Sequence, residues 1–441
     1  MPAKHELPKL DTAVPIVLVK TSRNTLQHGP LGAVRSLGKL GVPAYALIED
    51  RFAPTAVCRY LTGALLMESA PDPNAALLRD LTTFGTRLGR PAILVPTDDS
   101  AAVFISEHAD ILGNSFLFAR PPRDLPRRLA NKKELYLLCA DIGIPCPKAA
   151  FPTCAADVKA FIESSAFPVV VKAPQLQRLP KGSPSVRLAN TAQELLTFYR
   201  HAEDAGIADL ILQEYIPENN SEDWVFHGYI NPQTDCLVAF TGRKLRSWPP
   251  YRGYTTRGVS IRNERLRRQA ELLLKSVSYA GIMDLDYRFD KRDGQYKLLD
   301  FNPRIGANFR MFEDEAGQDV IRALHLDLTG RSIRASPLVE GRTFVVEPHD
   351  LLASFSYVRC SGFKGWKTGR AHGRKLEPAW FSWHDPAPFL MMCVRTLLRA
   401  GGRLIPAIRA QMRFARAGHR TARPTTGIAG YGKERVHEHT T

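Results

Sequence analysis

The segment GIMDLDYRFDKRDGQYKLLDFNPRIG, residues 281–306, constrains this chain more than any other. Two runs of strict two-residue alternation flank Arg292-Asp293-Gly294, and Asp-Gly between alternating runs is a hairpin signature. Because strand side chains alternate between faces, Asp284 and Asp286 share one face of the first strand, and Asp300 and Asn302 share a face of the second. Acidic side chains can therefore converge across one ladder. Asp290, Lys291, Arg292 and Asp293 suit a solvated turn, but Asp300 sits among the apolar residues of LLDFNP, where a carboxylate needs a partner or a metal. Two aspartates and an asparagine, followed by Arg304, offer hard oxygen ligands for magnesium, which keeps waters and phosphate oxygens as its remaining ligands.

The rest of the chain supplies a frame for that hairpin. Over residues 14–125, PIVLV, a helix from Gly29 to Leu40, VPAYALI, and PAILVP followed by a helix through Ala109 alternate strand with helix. Such alternation predicts a parallel sheet with helices on its faces. RPPRDLP, residues 120–126, reads as a linker. A second pattern starts at Asn131 with the helix KKELYLLCADIG, which gives way at Gly143 to the extended IPCP. PVVVKAP (168–174) is a short strand, and QLQRLPKGSPSVR (175–187) is a basic loop. A helix over Ala192–Ala205 then leads to the strand LILQEYI, an antiparallel pair formed by WVFHGYI and LVAFTGRKL, and a helix over 263–280. Lys172 follows three valines on a strand expected to be buried. It either snorkels out of the strand end or, with Lys181, Gly182 and Ser183 of the next loop, meets an oxyanion such as phosphate.

Composition narrows the class. With 441 residues, 44% apolar and 24% charged, the chain can bury two or three domain cores, which excludes collagen-like, low-complexity and disordered readings. Seven cysteines without a CxxC pair argue against a disulfide framework or zinc ribbon and favour a reducing cytosol. Ala13–Val19 ends at Lys20 and reads as a buried strand rather than a signal peptide. The apolar run Pro386–Val394 stops at Arg395, well short of the ~20 residues a spanning helix needs. Ten Lys/Arg against two Glu give residues 395–441 a net +8, half the +16 of the whole chain. Apolar residues from Phe389 to Phe414 interleave there with arginines that recur mostly at three- or four-residue intervals. The pattern fits either a helix docked on the body with a basic tail, or a peripheral anchor on anionic lipid. The sequence pI near 9.6 raises a nucleic-acid reading. The excess charge is otherwise dilute and no aromatic/basic recognition motif appears, so no nucleic-acid partner is expected. His227, His349 and His384 are isolated and read as structural or solvated, and the tryptophans, among them Trp380 and Trp383, read as packing for a C-terminal cap.

In order, NKKELYLLCADIGIPCP, VVVKAP, a Gly/Ser loop, LILQEYIP and MDLDYRFDKRDGQYKLLDFNPR resemble the ATP-grasp superfamily, its carboxylate-amine ligases above all. The likeness covers roughly residues 14–330. It implies an α/β chain: a Rossmann-like, pre-ATP-grasp parallel-sheet domain (14–125) and an ATP-grasp domain (126–330) hinged near 213–217. A small C-terminal extension (331–385) and a basic helical tail (386–441) would follow.

Carried onto this sequence, the resemblance implies that Lys132, with Lys133 as the alternative, and Lys172 touch the α and β phosphates of ATP. Lys181, Gly182 and Ser183 would close over the phosphates, and Gln213, Glu214, Tyr215 and Ile216 would form the adenine hinge. Asp223, with Glu222 competing, would meet the ribose. Asp286, Asp300 and Asn302 would hold magnesium or manganese, and Arg304 would steady the transferred phosphoryl group. Lys244, Arg246, Arg252, Arg257 and Arg310 lie where an anionic substrate runs, and arginine suits bidentate contact with carboxylate or phosphate. One or two of these five are expected to touch substrate, with Lys244 joining Arg304 as a catalytic candidate. The function implied is an ATP- and magnesium-dependent ligase joining a small-molecule carboxylate to an amine through an acyl phosphate. A nucleotide-binding scaffold without ligation is the alternative, and a homo-oligomer is compatible with either. The expected location is the cytoplasm, with contact at the inner membrane face if the tail is an anchor.

Overall fold

In the computed structural model, the described residues are 8–172, 186–207, 210–251, 253–334, 336–367 and 375–399. Their strands follow the apolar runs. PIVLV becomes β1 (Ile16–Val19), buried along its whole length, and it is joined by β2 (Ala44–Ile48), β3 (Gly63–Leu66), β4 (Ala92–Pro96) and β5 (Phe116–Leu117). All pair in parallel in the order β3-β2-β1-β4-β5. The helices here are α1 (His28–Gly38), α2 (Pro73–Leu88), α3 (Asp99–Glu107) and α4 (Ala109–Leu112). The apolar pattern did not single out α2, yet its ends are written locally. Asp72 accepts the Asn74 and Ala75 amides, Pro73 opens the helix, and Gly89 closes it at φ +65°.

Two short helices, α5 (Leu125–Ala130) and α6 (Lys132–Asp141), follow. A four-stranded antiparallel sheet then forms from β6 (Ala149–Ala150), β7 (Val169–Lys172), β8 (Val186–Ala189) and β9 (Ile211–Glu214), ordered β6-β9-β7-β8. With α7 (Ala155–Glu163) and α8 (Ala192–Asp204) it closes its own core around Val158, Phe161, Val169, Leu195 and Leu212.

The largest sheet has seven strands in the order β14-β13-β10-β11-β12-β15-β16. Its members are β10 (Ser221–Ile230), β11 (Cys236–Trp248), β12 (Tyr254–Ser260), β13 (Gly281–Asp290), β14 (Gln295–Asn302), β15 (Arg342–Val345) and β16 (Lys375–Pro378). Three helices accompany it: α9 (Glu264–Ser276), α10 (Val320–Leu328) and α11 (Glu347–Lys367). Two strands from the segment taken as an extension thus lengthen the main sheet, with β16 pairing in parallel at its edge.

β13 and β14 are the hairpin the alternation predicts, turning through Gly294 at φ +69°. Asp284 lies opposite Asn302 and Asp286 opposite Asp300, with a bulge just after Asp286. Trp380 is buried as expected of a packing residue, but Trp383 is 86% exposed. The chain divides into one unit over Met1–Met391 and another over Met392–Thr441, of which residues 392–399 are described as helix. No helix among the described residues is long and apolar enough to cross a membrane.

Candidate active site

The hairpin register puts Asp284, Asp286, Asp300 and Asn302 on one face, and each carboxylate has a cation from elsewhere in the chain. Lys132, the first residue of α6, reaches Asp300 Oδ2 at 3.1 Å and donates to the Leu299 carbonyl at 3.0 Å. Lys244 Nζ on β11 lies 2.6 Å from Asp286 Oδ1. Burial raises the Asp286 carboxyl, and Asp284 and Asp300 add to that while Lys244 opposes it. Burial works against the Lys244 charge, but Asp286 and Asp223 outweigh it and hold the amine above its ordinary range.

Asp284 sits deeper, 2.9 Å from Nε2 of the fully buried His227 and 3.0 Å from Arg304 Nη1. Burial would raise its carboxyl, yet His227, Arg304 and Lys244 prevail and hold it well below the carboxylate range. Asn302 donates its amide to the Asp284 carbonyl at 3.0 Å, which fixes the side chain and turns Oδ1 the other way. Gly306 packs so closely here that a Cβ on it would stand 2.1 Å from His227 Cε1.

A cavity of about 310 Å³ opens above this face, lined by Lys132, Lys172, Gln213 to Ile216, Asp223, Lys244, Asp286, Arg288 and Asp300 among others. Lys172 ends β7 and donates to Gln213 Oε1 at 2.6 Å. Burial, reinforced by the Lys132 charge, lowers its amine to about 7. Asp223 makes a two-pronged pair with Arg288, at 2.7 and 3.1 Å, whereas Glu222 points to the opposite face beside Arg243 and Lys291. Of Asp223 and Glu222, Asp223 lines the cavity. Glu214 is engaged by Lys297 at 2.8 Å and Arg292 at 3.1 Å. Lys133 lies over the Phe151 ring, 5.9 Å from its centroid, and lines the neighbouring cleft instead.

The remaining cations divide. Arg246 and Arg257 both hold Asp350, at 3.1 and 2.8 Å. Arg310 pairs with Glu377 and reaches the Ala379 carbonyl, and burial beside Arg35 lowers its guanidinium to about 9. These three are paired with acidic side chains away from the hairpin, whereas Lys244 stands at its carboxylates. Lys181, Gly182, Ser183 and Arg252 lie outside the described residues.

Three residues reach the site with no sequence signal. They are His227, brought opposite Asp284 by β10–β13 pairing, Arg288, and Asp99, whose Oδ1 is 3.3 Å from Arg304 Nε. Among the described residues no three His, Cys, Asp or Glu side chains gather as a metal cluster. Two cross-strand carboxylates and one amide nevertheless suit magnesium, which takes few protein ligands and completes its shell with water and phosphate oxygens.

A hinged pair of sheets, with lysines and aspartates facing one cavity between them, is the ATP-grasp arrangement. No family model matches the chain. It is 25% identical over 290 residues to a D-aspartate ligase of Enterococcus faecium, a match spanning 63% of this chain and 69% of that protein. In fold it resembles biotin carboxylase from Campylobacter jejuni in its β,γ-ATP complex (TM-score 0.57, 14% identity, 75% of this chain and 74% of that one). N5-carboxyaminoimidazole synthetase from Staphylococcus aureus is similarly placed (TM-score 0.55, 12% identity, 76% and 82%). The chain has the fold of the ATP-grasp proteins, and the relative it is similar to in sequence is an amino-acid ligase.

Proposed function

We propose that this site activates a small carboxylate with ATP and joins it to an amine, D-aspartate being the first carboxylate to try because the sequence relative is a D-aspartate ligase. The observation that carries the reading is the Asp286/Asp300 pair, each aspartate matched to a lysine and facing a cavity that Lys172 and the hinge also line. Phosphoryl transfer needs positioning and charge neutralisation more than covalent help from the protein. Lys132 and Lys172 meet the phosphates, Asp223 meets the ribose, and the 213–216 hinge holds adenine. Asp286, Asp300 and Asn302 hold magnesium, which when bound shields phosphate charge. Arg304 steadies the transferred group, and Lys244 orients Asp286 and faces the anionic substrate. The carboxylate oxygen attacks the γ-phosphorus and ADP leaves; the amine then attacks the acyl carbon of the acyl phosphate and displaces inorganic phosphate, so the closed cavity must exclude water. Incubation with ATP, magnesium and ¹⁸O-carboxylate-labelled D-aspartate tests this. One label should move into inorganic phosphate, whereas unlabelled phosphate would exclude an acyl phosphate from this substrate.

The cytoplasm, with contact at the inner membrane face, is the location this reading favours. Helical residues 392–399 leave Val394, Leu397 and Leu398 exposed, and the adjoining sequence is strongly basic, which suits an anionic bilayer. Leu397→Glu/Leu398→Glu should abolish co-sedimentation with anionic liposomes, and unchanged binding would refute the contact. A homodimer is the assembly we favour, as in the biotin carboxylase domain dimer of Hydrogenobacter thermophilus, and sedimentation equilibrium checks it.

A further inference from the structure

Asp98 and Asp99 are neighbours with different tasks. Asp98 is fully employed in holding the fold: it accepts the Thr21 and Ser22 amides at 2.9 Å each, the Thr21 hydroxyl at 2.9 Å, and the Ala101 amide at 2.8 Å as cap of α3. Asp99, the first residue of α3, caps nothing. It lies 3.3 Å from Arg304, which already has Asp284 as a carboxylate partner at 3.0 Å. Its Oδ1, the oxygen that faces Arg304, is buried and makes no hydrogen bond beyond that ion pair, while 44% of the side chain stays exposed. Asp99 also lines a cleft of about 1070 Å³ that shares Lys132 and Lys172 with the nucleotide cavity. A carboxylate at the start of α3 thus borders both Arg304 and a chamber large enough for a second substrate.

We propose that the cleft beside Asp99 receives the amine substrate, a primary ammonium compound, and that Asp99 binds that ammonium and takes its proton. This rests on the ligase reading above. The ammonium group gives one proton to the Asp99 carboxylate and becomes a neutral amine. The nitrogen lone pair forms the C–N bond, the C–O bond to phosphate breaks, and phosphate leaves with that electron pair. The second nitrogen proton goes to the departing phosphate. The charged groups around Asp99 fit this role. Burial raises its carboxyl to about 6, Arg304 opposes that, and Asp300, Asp284 and Asp98 add to it. A base poised near neutrality is efficient at this proton transfer.

Hydroxylamine, a nucleophile uncharged at neutral pH, separates activation from amine handling. Wild type and Asp99→Asn are given ATP, magnesium and a pool of amino acids of both hands, with and without hydroxylamine. The variant should form hydroxamate near the wild-type rate while its amide formation falls by about 100-fold, and Asp99→Glu should recover part of the loss. Amide formation at the wild-type rate in Asp99→Asn would overturn the assignment, and so would equal loss of hydroxamate and amide. Wild type that forms no hydroxamate with any carboxylate would overturn the ligase reading beneath it.

Discussion

Lys172 shows how one residue can be legible in type but not in state. Three valines before it signalled a charge at the end of a buried strand, and the structure seats its amine against Gln213 near Lys132. Burial leaves that amine at about 7, so above neutral pH it is largely uncharged until an anion arrives. Nucleotide binding at pH 8 should therefore take up close to about one proton, seen by calorimetry in buffers of different ionisation enthalpy. Lys172→Met should bind more weakly and without that uptake. The sign follows from the direction of the shift: affinity falls as pH rises through 7 to 9, because the free protein must be protonated to bind. Asp286, Asp300 and Asn302 were legible because alternation alone places them on one face. His227 and Asp99 were not, since a lone histidine and one of two adjacent aspartates gain meaning only from pairing with residues 57 and 205 positions away.

At the scale of elements, the hairpin was the most readable part, because turn chemistry and alternation agree on its register. The helices starting after Asn131, Thr191 and Asn263 were read from their apolar spacing, and each of these residues accepts an amide from the first turn that follows. β16 was not, because a four-residue parallel edge strand depends on a partner 33 residues earlier. The loop after β14 depends on close approach rather than on any apolar pattern. Gly306→Ala would drive a methyl to within 2.1 Å of His227 and 2.9 Å of Asp284 Cγ. Overpacking of this kind costs about 1–3 kcal/mol, so the denaturation midpoint should fall and ATP turnover with it. A variant with an unchanged midpoint would mean that the loop has room to spare.

Over the first unit as a whole, the segment ending at Asp385 is tied to α1 and to the Cys58–Arg59 segment. Arg35 donates to Asp385 Oδ2 and to the Trp380 and Asp385 carbonyls, each at 2.8 Å, and the Arg59 amide reaches Asp385 Oδ1 at 3.0 Å. Burial opposes its ionisation, yet the Arg59 amide, the Cys58 thiol and Arg35 hold the Asp385 carboxyl below its ordinary range. Its stabilisation is therefore complete above the usual carboxylate range and lost as pH falls through the lowered value. Asp385→Ala strands a buried guanidinium, a loss of about 3–5 kcal/mol, measurable by denaturation and by faster amide exchange in α1. None of these contacts spanning 326 to 350 residues was visible in the sequence. The most direct test of the whole account is magnesium-dependent ATP cleavage with hydroxylamine across a pool of carboxylates, comparing wild type with Asp300→Asn and Arg304→Ala. Wild type should release phosphate and hydroxamate in equal amounts, and each variant should remain folded while turning over about 10²–10³-fold more slowly. Carboxylate-independent cleavage in wild type, or near wild-type turnover in either variant, would contradict it.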